Sequence, residues 1–207
     1  MDLNGSTLLI SRRSPFARRV RLAFLEAGSE FTERILEVFH PNAELNAINP
    51  LGRVPTLILR SGQICVDSHV ILARLYEAQG HPYQKYSEAQ RHKLDFWTAM
   101  GVGLCEKAVE FFFETLKPES HRDPDIRSEM DGAVSRTLAL FEQEIGDRET
   151  LLPSNLTQAD LDMGTALAYL SFRYSKDWMT QFPSSARYFQ SLSRRKSFLA
   201  TRPESVE

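Results

Sequence analysis

Cysteine is scarce in this 207-residue chain, and that scarcity removes several classes of protein at once. Cys65 and Cys105 are too few and too far apart in sequence to suggest a disulfide scaffold or a thiolate metal cage. His40, His69, His81, His92 and His121 fall at no spacing that metal ligands share, so no metal site is expected. Net charge is also sparse: it is −2, from 25 basic and 27 acidic residues. Nucleic-acid-binding domains are usually strongly basic, so nucleic acid is not an expected partner. No apolar run approaches the roughly 18 residues a membrane helix needs, and the charged N-terminus leads into no secretory signal. The expectation is therefore a cytoplasmic protein with no membrane partner. Internal repeats and low-complexity tracts are missing too, which leaves a globular composition of 42% apolar and 25% charged residues. One domain or two small ones both fit this length.

What charge there is lies unevenly. Arg12, Arg13, Arg18, Arg19 and Arg21 crowd one short segment, and acidic residues gather from Glu106 to Glu119. A basic cluster of this kind reads as a solvated helix face, with an anion site as the alternative.

Leu8-Leu9-Ile10, preceded by the turn residue Gly5, reads as a buried strand. Ser14-Pro15 supplies the favoured cap and first residue of a helix in which Val20, Ala23, Phe24 and Ala27 share a face, with Gly28 at its end. Phe31 to Leu36 reads as a second strand, and a short helical piece then ends near Asn49. Thr56 to Leu59 and Gln63 to Val66 form a hairpin about Ser61-Gly62. Asp67-Ser68 then caps a helix that carries Val70, Ile71, Ala73, Leu75 and Tyr76 and stops before Gly80. The order βαβ, α, ββ, α makes an α/β unit over residues 1–82. A linker at Gly80-His81-Pro82-Tyr83 leads to an all-helical domain, 87–207, where strand alternation disappears. One long helix is marked by Leu94, Trp97, Met100, Leu104, Ala108 and Phe111 to Phe113. A second is marked by Ile126, Met130, Val134, Leu138, Phe141 and Ile145. Thr157-Gln158-Ala159-Asp160 is a capping box with Asp in place of Glu, opening a buried helix. Further helical segments lie around Trp178 and from Pro183 to Leu192.

The stretch Asn49-Pro50-Leu51-Gly52-Arg53-Val54-Pro55-Thr56-Leu57 stands out within the first domain. Its turn residues deliver the chain into Val-Pro, where proline fixes its own φ and pushes Val54 into an extended conformation. Proline cannot donate to a sheet ladder, so Val54 is left able to pair with an incoming extended ligand through its own N–H and C=O. An ordinary turn into an edge strand is the alternative.

Four features in fixed order then resemble a bacterial glutathione transferase: Ser14-Pro15-Phe16-Ala17-Arg18-Arg19-Val20-Arg21, Asn-Pro-Leu-Gly-Arg-Val-Pro, Asp67-Ser68 at a helix start, and Leu156-Thr157-Gln158-Ala159-Asp160. The resemblance covers essentially the whole chain. It implies a thioredoxin-like N-terminal domain, an all-helical C-terminal domain and a two-fold homodimer. It also implies that Val54 pairs its backbone with the cysteinyl unit of glutathione beside a cis Pro55. Asp67 and Ser68 would hold the γ-glutamyl end, and His40 and Arg53 the glycyl carboxylate. A helix N-terminus favours a carboxylate, which agrees with Ser68, while simple capping by Asp67 is compatible with that role. One departure is Leu152-Pro153-Ser154-Asn155, which replaces the family's usual aromatic-and-glycine approach to the capping box.

Ser14 is the implied catalytic hydroxyl, with Ser11 as the alternative. In serine-type members the hydroxyl at the start of the first helix donates to the glutathione sulfur. A thiol ordinarily ionises near pKa ~8.5, and lowering that by two units needs about 2.7 kcal/mol, within reach of a hydroxyl donor, the helix dipole and nearby arginines together. Ser14 as a plain N-cap, worth about 1 kcal/mol, is the bland alternative. Cysteine is absent at Ser14 and Ala17, which argues against dithiol exchange and the cysteine-type branch. The resemblance also implies an electrophile pocket lined from the helical domain, with Trp97, Met100, Gly101, Leu104 and Phe111 to Phe113 as candidates, although aromatics at helical spacing are more often core. The expected activity is conjugation of glutathione, a consumed cosubstrate, to a small electrophile, or a related isomerisation or dehalogenation. The competing expectations are a non-enzymatic interaction protein of the stringent starvation type and a glutathione carrier without turnover.

Overall fold

The structure, a computed structural model, describes residues 3–153 and 155–203. The chain divides into two compact units. The first holds the described residues up to Ser87 and those from Ala200 on; the second is Glu88–Leu199.

In the first unit, β1 (Ser6–Ile10) forms because Leu8-Leu9-Ile10 is apolar without alternation, and all three are fully buried. The helix α1 (Pro15–Glu26) starts where expected. Ser14 is its N-cap, accepting the Ala17 N–H at 3.2 Å, and Gly28 follows its end at φ +65°. Then come β2 (Phe31–Ile35), α2 (Ala43–Ile48, capped by Asn42), β3 (Thr56–Ile58), β4 (Ile64–Cys65) and α3 (Ser68–Ala78). The sheet order is β2-β1-β3-β4, with β1 and β2 parallel and the other two pairs antiparallel. The helices α1 and α3 pack together, burying Val20, Phe24, Ile71 and Leu75.

Of the arginine cluster Arg12 is exposed, but the three arginines on α1 do not form a solvated face. Arg18, Arg19 and Arg21 are 4%, 3% and 5% exposed, because their alkyl stems lie along the apolar interior and their heads find partners within the unit. Arg18 donates to Thr201 Oγ1 at 3.3 Å, and Arg19 to Ser68 Oγ at 3.0 Å. Arg21 grips Glu33 with two bonds of 2.7 and 2.9 Å and reaches the Ala200 carbonyl.

The second unit comprises α4 (Glu88–Thr115), α5 (Pro124–Ile145), α6 (Gln158–Arg173), α7 (Trp178–Gln181), α8 (Pro183–Ser193) and α9 (Lys196–Ala200), the last crossing into the first unit's residues. The helix α6 is buried on every side from Gln158 to Leu170. The aspartate of its capping box holds more than the helix start. Asp160 accepts the Thr157 N–H and hydroxyl at 2.8 and 2.6 Å, the Leu151 N–H at 2.8 Å and the Tyr188 hydroxyl at 3.0 Å. Burial nonetheless pushes its carboxyl above the ordinary carboxylate value. In the segment before it Leu152 bridges Asn155, and Ser154 lies outside the described residues. Among the described residues, no helix is long and apolar enough to cross a membrane.

Trp97, Leu104 and Phe111 belong to the core of this unit, at 2%, 3% and 7% exposure. The Trp97 ring stands edge-on to Phe141, which stands edge-on to Tyr188. Gly101 is also accounted for here. A Cβ at that position would lie 2.7 Å from the Asp162 carbonyl carbon, so glycine lets α4 and α6 cross at backbone contact.

Candidate functional site

Strand register gathers the expected residues of the first unit at one end of its sheet. The antiparallel pairing of β1 with β3 sets Leu9 opposite Thr56, and continuing it brings Ser11 across from Val54. On the other side of β1, the parallel partner leaves β2 at the same end, where the Leu36 N–H bonds the Ile10 carbonyl at 2.8 Å. Pairing of Leu57 with Cys65 returns the chain to this end at Val66, and Asp67-Ser68 follows. Thus the start of α1, the segment after β2, the Val-Pro turn and the start of α3 share one end of the sheet.

Val54-Pro55 is a cis peptide bond, as implied by the resemblance; Val66-Asp67 is also cis. Neither the N–H nor the C=O of Val54 bonds to a described residue. The turn that presents it is held from inside by two residues that sequence reading passed over. Asn49, 2% exposed, donates to the Arg53 carbonyl at 2.9 Å and to Thr56 Oγ1 at 3.1 Å, and its own Oδ1 accepts the Leu51 N–H. Thr56, fully buried, donates to the same Arg53 carbonyl at 2.9 Å. Asn-Pro turn chemistry in the sequence pointed to Asn49, since an Asn side chain there commonly bonds the backbone two residues on.

Ser14 is half-buried, and its Oγ accepts the Ala17 N–H, which leaves the hydroxyl proton available to a ligand. Ser11 is 4% exposed, and its carbonyl accepts the Ser14 N–H at 3.0 Å. Asp67 is exposed, and its Oδ1 accepts the His69 N–H at 2.9 Å. Ser68 is 3% exposed, with its Oγ accepting from Arg19 and its N–H meeting no acceptor among the described residues. Arg19 was the residue sequence reading missed here. Its signal was a charge on the buried side of an amphipathic helix.

The loop after β2 is anchored beside Ser14. Arg13 pairs with Glu37 at 2.9 Å and stacks on Phe39 at 4.1 Å. The N–H groups of Phe39 and Val38 donate to Glu37 and, with Arg13, hold its carboxyl below the ordinary range against the cost of burial. The side chains of His40 and Arg53 are exposed, so the structure brings their chain segments to the site without fixing their heads. Among the described residues no three His, Cys, Asp or Glu side chains group as metal ligands would.

The comparisons with known proteins decide the family. The model of the glutathione S-transferase N-terminal domain matches residues 8–83, and that of the C-terminal domain matches residues 124–191. The chain belongs to the glutathione S-transferase family. Among curated members it is similar to the Escherichia coli K12 GST-like protein YibF, 26% identical over 95% of this chain and 98% of that one. It is also similar to the maleylacetoacetate isomerase of Pseudomonas aeruginosa, 27% identical over 66% of this chain and 68% of that one. Among solved transferases, that of Methylobacterium radiotolerans in complex with glutathione sulfonate has a TM-score of 0.90 at 26% identity, covering 99% and 97% of the two chains. That of Methylobacillus flagellatus with glutathione bound has a TM-score of 0.88 at 29% identity, covering 97% and 100%. The first unit is thus the family's thioredoxin-like domain, and the helices that follow are its C-terminal domain.

Proposed function

We propose that this family member is a glutathione transferase that ionises the glutathione thiol for attack on a small hydrophobic electrophile. The observation that carries the reading is the free Val54 backbone, set at the same end of the sheet as the Ser14 hydroxyl and the start of α3. The glutathione-bound relatives support it. Val54 would hold the cysteinyl backbone as an added strand would be held, which fixes the sulfur near the start of α1. Ser68 would donate its N–H and hydroxyl to the γ-glutamyl carboxylate, and Asp67 would meet the ammonium with the carboxylate oxygen left over from capping. His40 and Arg53 would reach the glycyl carboxylate from the rim.

Ser14, rather than the buried Ser11, would donate its hydroxyl proton to the sulfur, and the dipole of α1 adds to the same preference for thiolate. Glutathione supplies the nucleophile: its thiol proton leaves to solvent, and the sulfur forms the new bond to the electrophile, whose leaving group departs with its bonding electron pair or whose π bond opens and then takes up a proton from solvent. The protein supplies position and ionisation. The reading includes a two-fold homodimer and a cytoplasmic setting. Leu51, Ile64 and Val70 on the first unit, at 70%, 47% and 44% exposure, are apolar side chains of the kind a subunit interface covers.

Steady-state kinetics on two variants test the roles. Ser14→Ala should lower kcat about tenfold or more with little change in glutathione affinity, as expected when a donor to the developing thiolate is lost. Ser68→Ala should mainly weaken glutathione binding. The opposite split would overturn the assignment.

A further inference from the structure

The site described above leaves one buried charge without a role. Arg19 lies on α1, is 3% exposed, and donates to the Ser68 hydroxyl oxygen at 3.0 Å. Ser68 opens α3, an eleven-residue helix, and its N–H meets no acceptor among the described residues. A serine hydroxyl has one proton and two acceptor positions. With Arg19 filling one acceptor position, the proton points away from the guanidinium.

We propose that Arg19 is a positioning residue of the γ-glutamyl subsite: its buried guanidinium fills one acceptor position of the Ser68 hydroxyl and so orients that hydroxyl as a donor to the ligand's α-carboxylate. This rests on the reading of the protein as glutathione-binding. Arg19 itself touches no ligand and acts through Ser68. Its effect is therefore specific to one group of the tripeptide, the γ-glutamyl carboxylate, and absent for a ligand that lacks it.

The test compares reduced glutathione with γ-aminobutyryl-cysteinyl-glycine, which differs only by that carboxylate, using calorimetric titration of the wild-type protein, Arg19→Gln and Arg19→Lys. The wild type should prefer glutathione. Arg19→Gln should cut the preference about tenfold or more, the loss expected for a charge-assisted contact, while binding the analogue almost as the wild type does. Arg19→Lys should recover part of the preference. Equal weakening of both ligands would mean a merely structural arginine and would overturn the inference, as would an unchanged preference. A readout that needs no folded variant is the Arg19 side-chain proton resonance of the wild type: glutathione should shift it and the analogue should not, and a resonance unmoved by glutathione would overturn the inference. Wild-type protein that binds neither ligand would overturn the glutathione reading itself and this inference with it. Preference lost on Arg19→Gln alone leaves that reading standing and supports the inference.

Discussion

Asn49 shows how one buried side chain sets the geometry of a turn at the candidate site. Its amide ties the Arg53 carbonyl and Thr56 across the turn that presents Val54. Asn49→Ala would remove the acceptor of one donor, the Leu51 N–H, and the donor to two acceptors, the Arg53 carbonyl and Thr56 Oγ1, in a buried turn. The expected cost is about 1–3 kcal/mol of stability, read from urea unfolding, together with weaker glutathione binding as the Val54 backbone loses its fixed direction. An unchanged affinity would mean that the cis Val54-Pro55 turn holds its shape alone. The residues legible in advance were those governed by short-range rules. Ser14 and Asp67 were visible as caps, and Val54-Pro55 as a restricted dipeptide. Arg19 and Thr56 were not legible, because their partners, Ser68 and the Arg53 carbonyl, are identified only once strands and helices have packed. The arginine cluster was misread for the same reason. Composition cannot show that Glu33 and Thr201 come to meet it.

Among the elements, α4 carries two glycines with opposite expectations. A Cβ at Gly101 would meet backbone of α6 at 2.7 Å, whereas one at Gly103 would meet nothing within 4 Å. Gly103 instead borders a cavity of about 390 Å³ between α4 and α5, lined also by Met100, Ala133 and Thr137. Gly101→Ala should therefore cost about 1–3 kcal/mol, and Gly103→Ala should be neutral or stabilise by up to about 1 kcal/mol, both read from denaturant midpoints. The joint between α5 and α8 carries a pH dependence. Glu142 on α5 accepts the Ser184 and Ser185 N–H groups at 2.6 and 2.8 Å and the Ser185 hydroxyl at 2.7 Å, so it caps α8 from another helix. Burial opposes its charge, but these donors outweigh burial and hold its pKa below the ordinary value. A depressed folded value means that its contribution is fully present above the unfolded value near ~4.3 and is lost as pH falls through the folded one. Unfolding midpoints measured from about pH 6 to about pH 3 should fall in acid, and Glu142→Gln should be less stable at neutral pH with a flatter acid slope. Equal slopes would contradict this capping role. The elements themselves were largely legible because caps and apolar spacing act locally; α9, only five residues long, carried too little periodicity to be seen.

At the scale of the whole molecule, the hydrophobic period changes from strand alternation to uninterrupted helix near residue 87. The two compact units part between Ser87 and Glu88, and the described residues from Ala200 on return to the first, which no period in the sequence marks. The first unit gathers its candidate site residues at one end of the sheet because parallel β1 and β2 end there while β3 begins there. The electrophile is not legible in the same way, since an apolar pocket discriminates by only about 1–3 kcal/mol per group and leaves no motif. The central claim is that this end of the sheet binds glutathione and ionises it. The most direct measurement is the ultraviolet difference spectrum of the protein titrated with reduced glutathione at mildly acidic pH, where the free tripeptide is a thiol. A saturable thiolate band, lost in Ser14→Ala, is the predicted result; saturable binding with no such band, or no binding at all, would contradict it.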